Sequence, residues 1–437
     1  MRSYLVYTLR CTKDSLGTDT NTKETTMKHM TDALAISMQS QLAGQYSWID
    51  DDGTRRHYPQ APATFVEGSI GSGKTAIVTA IAEQLVEHVE SVRAPQLQPE
   101  DLTGYPVKDI KEIDGTSYQC LAFCPPEWAI RLKTAKSSCF IADEIGDAPL
   151  RLQSAFHGPL LDNTFGNVLI PNLVTVGIFN PPQISTTGGK PSIAIATRTC
   201  ILTDFCAPFE TWKQGARDGF SVPSFPKLPR DWQQRIRGEF VKILMYLDQN
   251  EGCRNITVED IKGRGMDSWK PAHTFRSWTN AAILAAACNA AKASVPARDY
   301  LLAGTIGRKI SEDYSDWLSR LELGDPAEYL DKQWLTDGQF KQNRGDIVSA
   351  TVSMVVSYYL EEGNKTKENY RNLIKFLCRT SALKFEGQAV SELLYSKLAS
   401  KSARPKGFNP TELRELWVQF MPFLQSSTMI ERVGGAS

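Results

Sequence analysis

Lys74 and Thr75 close an octet, Gly68-Ser69-Ile70-Gly71-Ser72-Gly73-Lys74-Thr75, with the spacing G-x-x-x-x-G-K-[ST]. That spacing builds a loop around phosphates. Its glycines let backbone N–H groups turn inward on phosphate oxygens, and a helix N-terminus behind it adds positive potential. In such a loop the lysine reaches the β- and γ-phosphates and the Thr hydroxyl ligates Mg²⁺. A second group is Asp143-Glu144, which ends the apolar run Cys139-Phe140-Ile141-Ala142. Beside a phosphate loop, the leading acid helps hold Mg²⁺. The second acid can polarise the attacking water as general base. The third is Asn180, at the end of Val174–Phe179. An amide there can orient water and report on the γ-phosphate.

These groups need strands to carry them. Ala63-Thr64-Phe65-Val66 reads as a strand entering the loop, and Ala76–Leu85 reads as the helix leaving it, ending near His88. The acid-bearing strand is expected beside the first. Ser91–Ala94, Tyr118–Phe123 and Cys200–Phe205 are further strand candidates, Val168–Pro171 is a short strand or hairpin arm, and 125–136 and 149–161 read as helices. Gln98–Pro106 reads as a turn-rich loop, and Gln183–Pro191, rich in Thr and Gly, as a mobile one. Apolar strands alternating with helices from 63 to 205 imply an α/β fold with a mostly parallel sheet. Its ligands belong at the carboxyl ends of the strands.

Outside this core the pattern is helical. Residues 1–59 read as an N-terminal arm: strand-like Tyr4–Tyr7, a flexible Thr12–Thr26, a helix from Met30 to Leu42 and a turn at Asp50–Gly53. The core spans 60–208 and a helical region 209–324. The latter has helices at 210–216, 231–249, 274–293 and 300–310, with a Pro-rich linker at Pro223, Pro226 and Pro229. A further helical domain, 325–437, carries helices at 347–360, 367–379, 386–400 and 411–424. Val352, Val355, Val356 and Tyr359 repeat there at helical spacing.

At 437 residues, 41% hydrophobic and 22% charged, the composition is that of a globular protein. Lys+Arg and Asp+Glu are both 49, which argues against a dedicated polyanion binder. The nine scattered cysteines suit reduced thiols. The longest apolar run is too short to span a bilayer, so no membrane segment and a cytoplasmic location are expected.

In their order and spacing, five stretches resemble the AAA+ ATPases, and within them the MoxR branch. They are GSIGSGKT at 68–75, QPEDLTGYP at 98–106, IADEIGDAPLRLQSAF at 141–156, VGIFNPP at 176–182, and Thr274-Phe275-Arg276 opening an Ala-rich helix. The resemblance covers about residues 60–310. It implies an AAA+ parallel-sheet P-loop core, an α-helical lid and, beyond the family's motifs, the extra helical C-terminal domain. Gly68, Ser69, Ile70, Gly71, Ser72, Gly73, Lys74 and Thr75 would bind ATP, with Thr75 and Asp143 at Mg²⁺ and Glu144 as base. Asn180 matches the family's first sensor and Arg276 its second. Arg198 stands where the family places an arginine finger acting on the neighbouring subunit's ATP. Here it is framed by Thr197 and Thr199 rather than Asp and Phe, and Thr274-Phe275 stands where Ser-Pro precedes the second sensor.

The resemblance implies a ring-forming homo-oligomer, a hexamer, that hydrolyses ATP to remodel a protein client. A separate von Willebrand A-domain protein is the kind of partner the family uses. Two other functions stay open on sequence: a nucleic-acid motor or loader, disfavoured by the neutral charge, and a nucleotide-gated scaffold that seldom hydrolyses ATP.

Overall fold

Five strands form one parallel sheet: β1 (Thr64–Glu67), β2 (His88–Arg93), β3 (Ser138–Asp143), β4 (Leu173–Phe179) and β5 (Cys200–Leu202), all but the edge strand β2 built around a run of successive apolar residues. The computed structural model describes residues 20–49, 54–185, 187–206, 209–220, 223–320, 326–331, 345–360, 362–381, 405, 407 and 409–420. Strand order is β5-β1-β4-β3-β2. The acid-bearing strand β3 is therefore not the neighbour of β1, as sequence suggested. The strand leading to Asn180, β4, lies between them, with Phe179 paired to Glu67 on one side and Gly177 to Ala142 on the other. All three strands end at the same edge.

Side chains alternate between two faces of the sheet, and both faces are buried, as parallel sheets require. Val66, Ile141, Val174, Val176 and Ile178 face one core. Phe65, Phe140, Ala142, Leu173 and Phe179 face the other. The first core is covered by α1 (Thr20–Leu42) and α2 (Lys74–Leu85), joined by residues of the helical region such as Ile283, Leu284 and Leu301. Helix α1 starts inside the stretch read as flexible. Its Ala33, Leu34, Ala35, Ile36 and Met38 are fully buried. Gln41 ties it to the sheet, accepting from Thr175 N at 2.8 Å and donating to Thr64 Oγ1 at 3.0 Å. Residues expected to form an arm are thus packed into the core.

The opposite core is aromatic. Trp128 on helix α3 (Glu127–Thr134) stacks on Phe140 at 5.3 Å, and Phe165 meets Phe140 edge-on at 4.9 Å. Phe165 comes from a small hairpin of Thr164–Phe165 and Val168–Leu169.

Several local expectations change. Helix α2 stops at Leu85, and β2 starts at His88 rather than Ser91. Gln98–Pro106 is not a loop. Pro99–Thr103 is a short helix with a capping box between Gln98 and Asp101. From Tyr105 runs a long hairpin, Tyr105–Ile113 paired with Thr116–Cys124, of which sequence reading found only one arm. Its turn, Asp114-Gly115, takes positive φ at both residues (50° and 74°), the geometry that Asp-Gly favours in tight hairpins. The helix expected over 149–161 is shorter, Leu150–Ala155, followed by a wider turn at Gly158–Asp162.

The helical region contains α4 (Ile236–Gln249), α5 (Phe275–Ala290), α6 (Val295–Ile306) and α7 (Arg308–Ser319). One helix was expected over 300–310, but Gly307 divides it at φ 89°, where a Cβ would lie 2.8 Å from Pro271 O. Tyr246, Trp278 and Tyr314 form this region's aromatic centre. The Pro-rich stretch is anchored: Gln39 bonds Pro226 O and Leu228 N, and Gln84 bonds Pro223 O. Farther on, α8 (Gly345–Leu360) packs against α4 and against α9 (Lys367–Ser381), with Val352, Val355, Val356 and Tyr359 fully buried. Pro410–Phe420 is helical. Residues 4–7, the turn at 50–53, the helix expected at 386–400 and residues 421–424 lie outside the described residues.

A glycine in mid-strand lets β4 lie against Phe65. A Cβ on Gly177 would come within 2.7 Å of the Phe65 ring, which is itself fully buried. Gly177→Ala is expected to lower stability by roughly 1–3 kcal/mol, measured as a reduced midpoint of thermal unfolding.

Candidate functional site

The loop between β1 and α2 takes its shape from three glycines with separate tasks. Gly71 and Gly73 have φ of 71° and 81°, a region costly for a side chain. Gly68 is needed for space, since a Cβ there would sit 2.1 Å from Phe205 O. Helix α2 then starts with no side-chain cap, so the loop's own conformation defines its N-terminus.

Lys74 leads α2 and folds back over this loop. Only 7% exposed, its Nζ donates to Gly68 O (2.7 Å), Ser69 O (2.8 Å) and Asn180 Oδ1 (2.9 Å). Burial lowers its pKa, while the charges of Glu67 and Asp143 act the other way. Next to it, Thr75 Oγ1 donates to Asp143 Oδ2 at 3.0 Å. Three strand ends thus converge on the loop. β1 delivers it, β4 brings Asn180 to the lysine, and β3 brings Asp143 to the threonine.

Glu144 follows on the exposed side, with φ of 58°, a left-handed conformation unusual for a residue with a side chain. Its N–H donates to Asp143 Oδ1 at 3.0 Å.

The residues present fit a magnesium triphosphate. A hydroxyl and one carboxylate are what Mg²⁺ takes when phosphates complete its shell. Among the described residues no cluster of three His, Cys, Asp or Glu side chains stands ready to hold a metal without phosphate. Inside the loop, Ser72 Oγ is buried without a hydrogen-bond partner, a donor position an anion would satisfy.

The two arginines form a different group. Arg198, half-buried, donates from Nη1 to Ala194 O at 2.7 Å. Its pKa is lowered by burial and then by the charge of Arg276, so the two guanidiniums lie in each other's field. His157 joins them: burial and then Arg198 hold it below the usual imidazole range, and its Nε2 is buried without a partner. Among the described residues no carboxylate pairs with either arginine. No hydrogen bond or ion pair joins either to Lys74, Thr75, Asp143, Glu144 or Asn180.

Sequence reading missed three groups around the site. Glu67, 4% exposed, ends β1 directly before Gly68 and accepts from Asp204 N at 2.8 Å. Asp204 in turn pairs with Arg308 at the start of α7, at 2.9 Å. An acid closing an apolar strand was the available signal for Glu67. The partners of Asp147 and the Lys190 partner of Gln153 were not foreseeable, because they lie in the stretch Gln183–Pro191 read as mobile. That stretch is held: Gln153 bonds Lys190 O and Ser192 N.

No protein-family model matches this chain, and no curated protein matches it. Among solved structures, a protein of Cytophaga hutchinsonii, provisionally described as an ATPase, aligns at 13% identity with a TM-score of 0.38. The alignment covers 65% of this chain and 86% of that one. No helix among the described residues is long and apolar enough to cross a membrane.

Burial pushes the Glu67 carboxyl up to about 7, against the hydrogen bond from Asp204 N, which acts to lower it. The folded chain therefore binds this proton more tightly than the unfolded chain. The resulting stability is fully present below about pH 4.5 and fades as pH rises through 7. The loss amounts to roughly 3 kcal/mol at most. Glu67→Gln, which cannot ionise, is expected to flatten that part of the profile, read from denaturant midpoints between pH 4.5 and 8.

Proposed function

We propose that this chain is an ATP hydrolase of the MoxR-like AAA+ type, working as a ring in which neighbouring copies complete each other's sites. The observation that carries this reading is the double contact at the strand ends: Lys74 on Asn180, and Thr75 on Asp143.

The chemistry divides among the residues as follows. Phosphate oxygens replace the Gly68 and Ser69 carbonyls as partners of Lys74, whose charge neutralises the β- and γ-phosphates. The loop's N–H groups bind the same oxygens and are already turned by Gly71 and Gly73. Thr75 and Asp143 would hold Mg²⁺, which would supply neutralisation of the phosphate charge. Glu144 accepts a proton from the attacking water, and Asn180 holds that water in line with the γ-phosphate. Arg198 has no acid of its own among the described residues, which suits an anion brought by a second copy, where it stabilises charge on the transferred phosphoryl group. Arg276, as the second sensor, touches the γ-phosphate from the helical region. The released energy moves the helical region against the sheet and acts on a protein client, with a von Willebrand A-domain protein as the candidate partner.

Lys74→Ala is expected to abolish binding of a fluorescent ATP analogue. Glu144→Gln is expected to keep that binding and lose hydrolysis by about 100-fold or more. Unchanged turnover in Glu144→Gln would favour a nucleotide-gated scaffold instead. For the arginines, Arg198→Ala subunits mixed into wild type are expected to inhibit their neighbours more than in proportion. Strict proportionality, or a rate per subunit independent of protein concentration, would sink the shared site. Stimulation by DNA or RNA that falls steeply with salt would favour a nucleic-acid motor.

A further inference from the structure

We propose that Asp147 is a positioning residue for Glu144, and that Ser185, Thr187, Gly189 and Lys190 carry this bracing on to the helical region. The inference rests on the reading of Glu144 as general base.

A non-glycine residue at φ 58° is strained and persists only where its surroundings fix it. The surroundings here are specific. The Asp143–Glu144 corner continues into a tight turn, in which Asp147 N donates to Glu144 O at 3.0 Å. On the far side of that turn, Asp147 Oδ1 accepts from two hydroxyls, Ser185 Oγ and Thr187 Oγ1. Both hydroxyls also accept from Gly189 N, at 3.2 Å each. Gly189 lies directly on the turn, where a Cβ would come within 2.2 Å of Gly146 O. Gln153, 1% exposed, stitches the same two segments together: it donates to Ala148 O (3.0 Å) and Lys190 O (3.1 Å) and accepts from Ser192 N (2.7 Å).

The bracing does not stop there. Lys190 Nζ donates to Gly265 O at 2.8 Å and Ser268 Oγ at 3.0 Å, in the segment just before α5. Adjacent Trp269 meets Phe179 edge-on at 5.2 Å, one residue before Asn180. Residues 265–269 therefore touch both the segment that holds the Glu144 turn and the strand that holds Asn180. A shift of the helical region is transmitted to the base and to the water-orienting amide together.

A base displaced by a fraction of an ångström loses rate without losing substrate, and that separates this role from a merely structural one. In the full chain, Asp147→Ala is expected to lower kcat by about 10- to 100-fold relative to wild type. The KM for ATP and the affinity for a fluorescent ATP analogue are expected to stay within about twofold. Asp147→Asn keeps an acceptor oxygen and restores most of the rate. Gly189→Ala, which pushes on the turn from outside, and Lys190→Ala are expected to lower kcat with the same unchanged affinity. If Glu144→Gln abolishes hydrolysis while Asp147→Ala and Gly189→Ala leave kcat untouched, the positioning role is overturned alone. It is likewise overturned if affinity and thermal midpoint fall in step with kcat and Asp147→Asn gives no rescue. A wild-type chain that does not hydrolyse ATP, or a fully active Glu144→Gln, overturns the base assignment and this inference with it.

Discussion

A buried ammonium must be surrounded by oxygen, and around Lys74 that requirement organises the edge of the sheet. Two of its acceptors are carbonyls of its own loop and cost the fold little. The third, Asn180 Oδ1, is more than a hundred residues away in sequence. It reaches Lys74 only because β4 is inserted between β1 and β3. The same insertion leaves β3 one strand further out, yet Asp143 still spans to Thr75, because Thr75 sits one residue farther into α2 on the side of β3. Strand order and loop geometry are thus two aspects of a single arrangement.

The close approaches in this core are made by residues without bulk. Gly68 admits the backbone of Phe205, and Gly177 admits the ring of Phe65. Gly304 on α6 lies against Ile201 and Cys200, where a Cβ would meet sulfur and carbonyl at about 3 Å. Each brings a different layer onto the strands that carry the loop: the segment after β5, the aromatic face and the helical region. From β1 to α7 the link then runs from Glu67 to the Asp204 main-chain N–H and from the Asp204 carboxylate to Arg308. The glycine-rich loop and the helical region are consequently in contact through β5 on one side and through Lys190 and Trp269 on the other. Two separated points of contact resist tilting better than one.

Much of the site was legible in the residues themselves. The octet, the acid pair and Asn180 are local signals: each is a short string whose chemistry and neighbouring apolar run can be read without knowing the fold. The parallel sheet followed from unbroken apolar runs, since a strand buried on both faces leaves no alternation to see. The hairpin at 105–124 was also signalled, by Asp114-Gly115, but its arms carry Lys108, Asp109, Lys111 and Glu112, so hydropathy alone hides the first of them. Composition misled in the other direction at 183–191. Thr, Ser and Gly look like mobile sequence, yet here the hydroxyls have a carboxylate, Asp147, to bind.

What the sequence determined by itself is the chemistry on offer and the strands that present it, because both depend on residues close together along the chain. The tertiary structure decided which of these groups meet. The order of parallel strands is set by how crossover helices pack, and no local pattern records it, so the place of β4 beside β1 was invisible. The same is true of the burial of α1, the effect of the Arg276 charge on Arg198, and the hold of Ser185, Thr187, Lys190 and Ser192 on Asp147 and Gln153 after the Glu144 turn. Each joins residues distant along the chain, and such contacts exist only once the layers between them have closed.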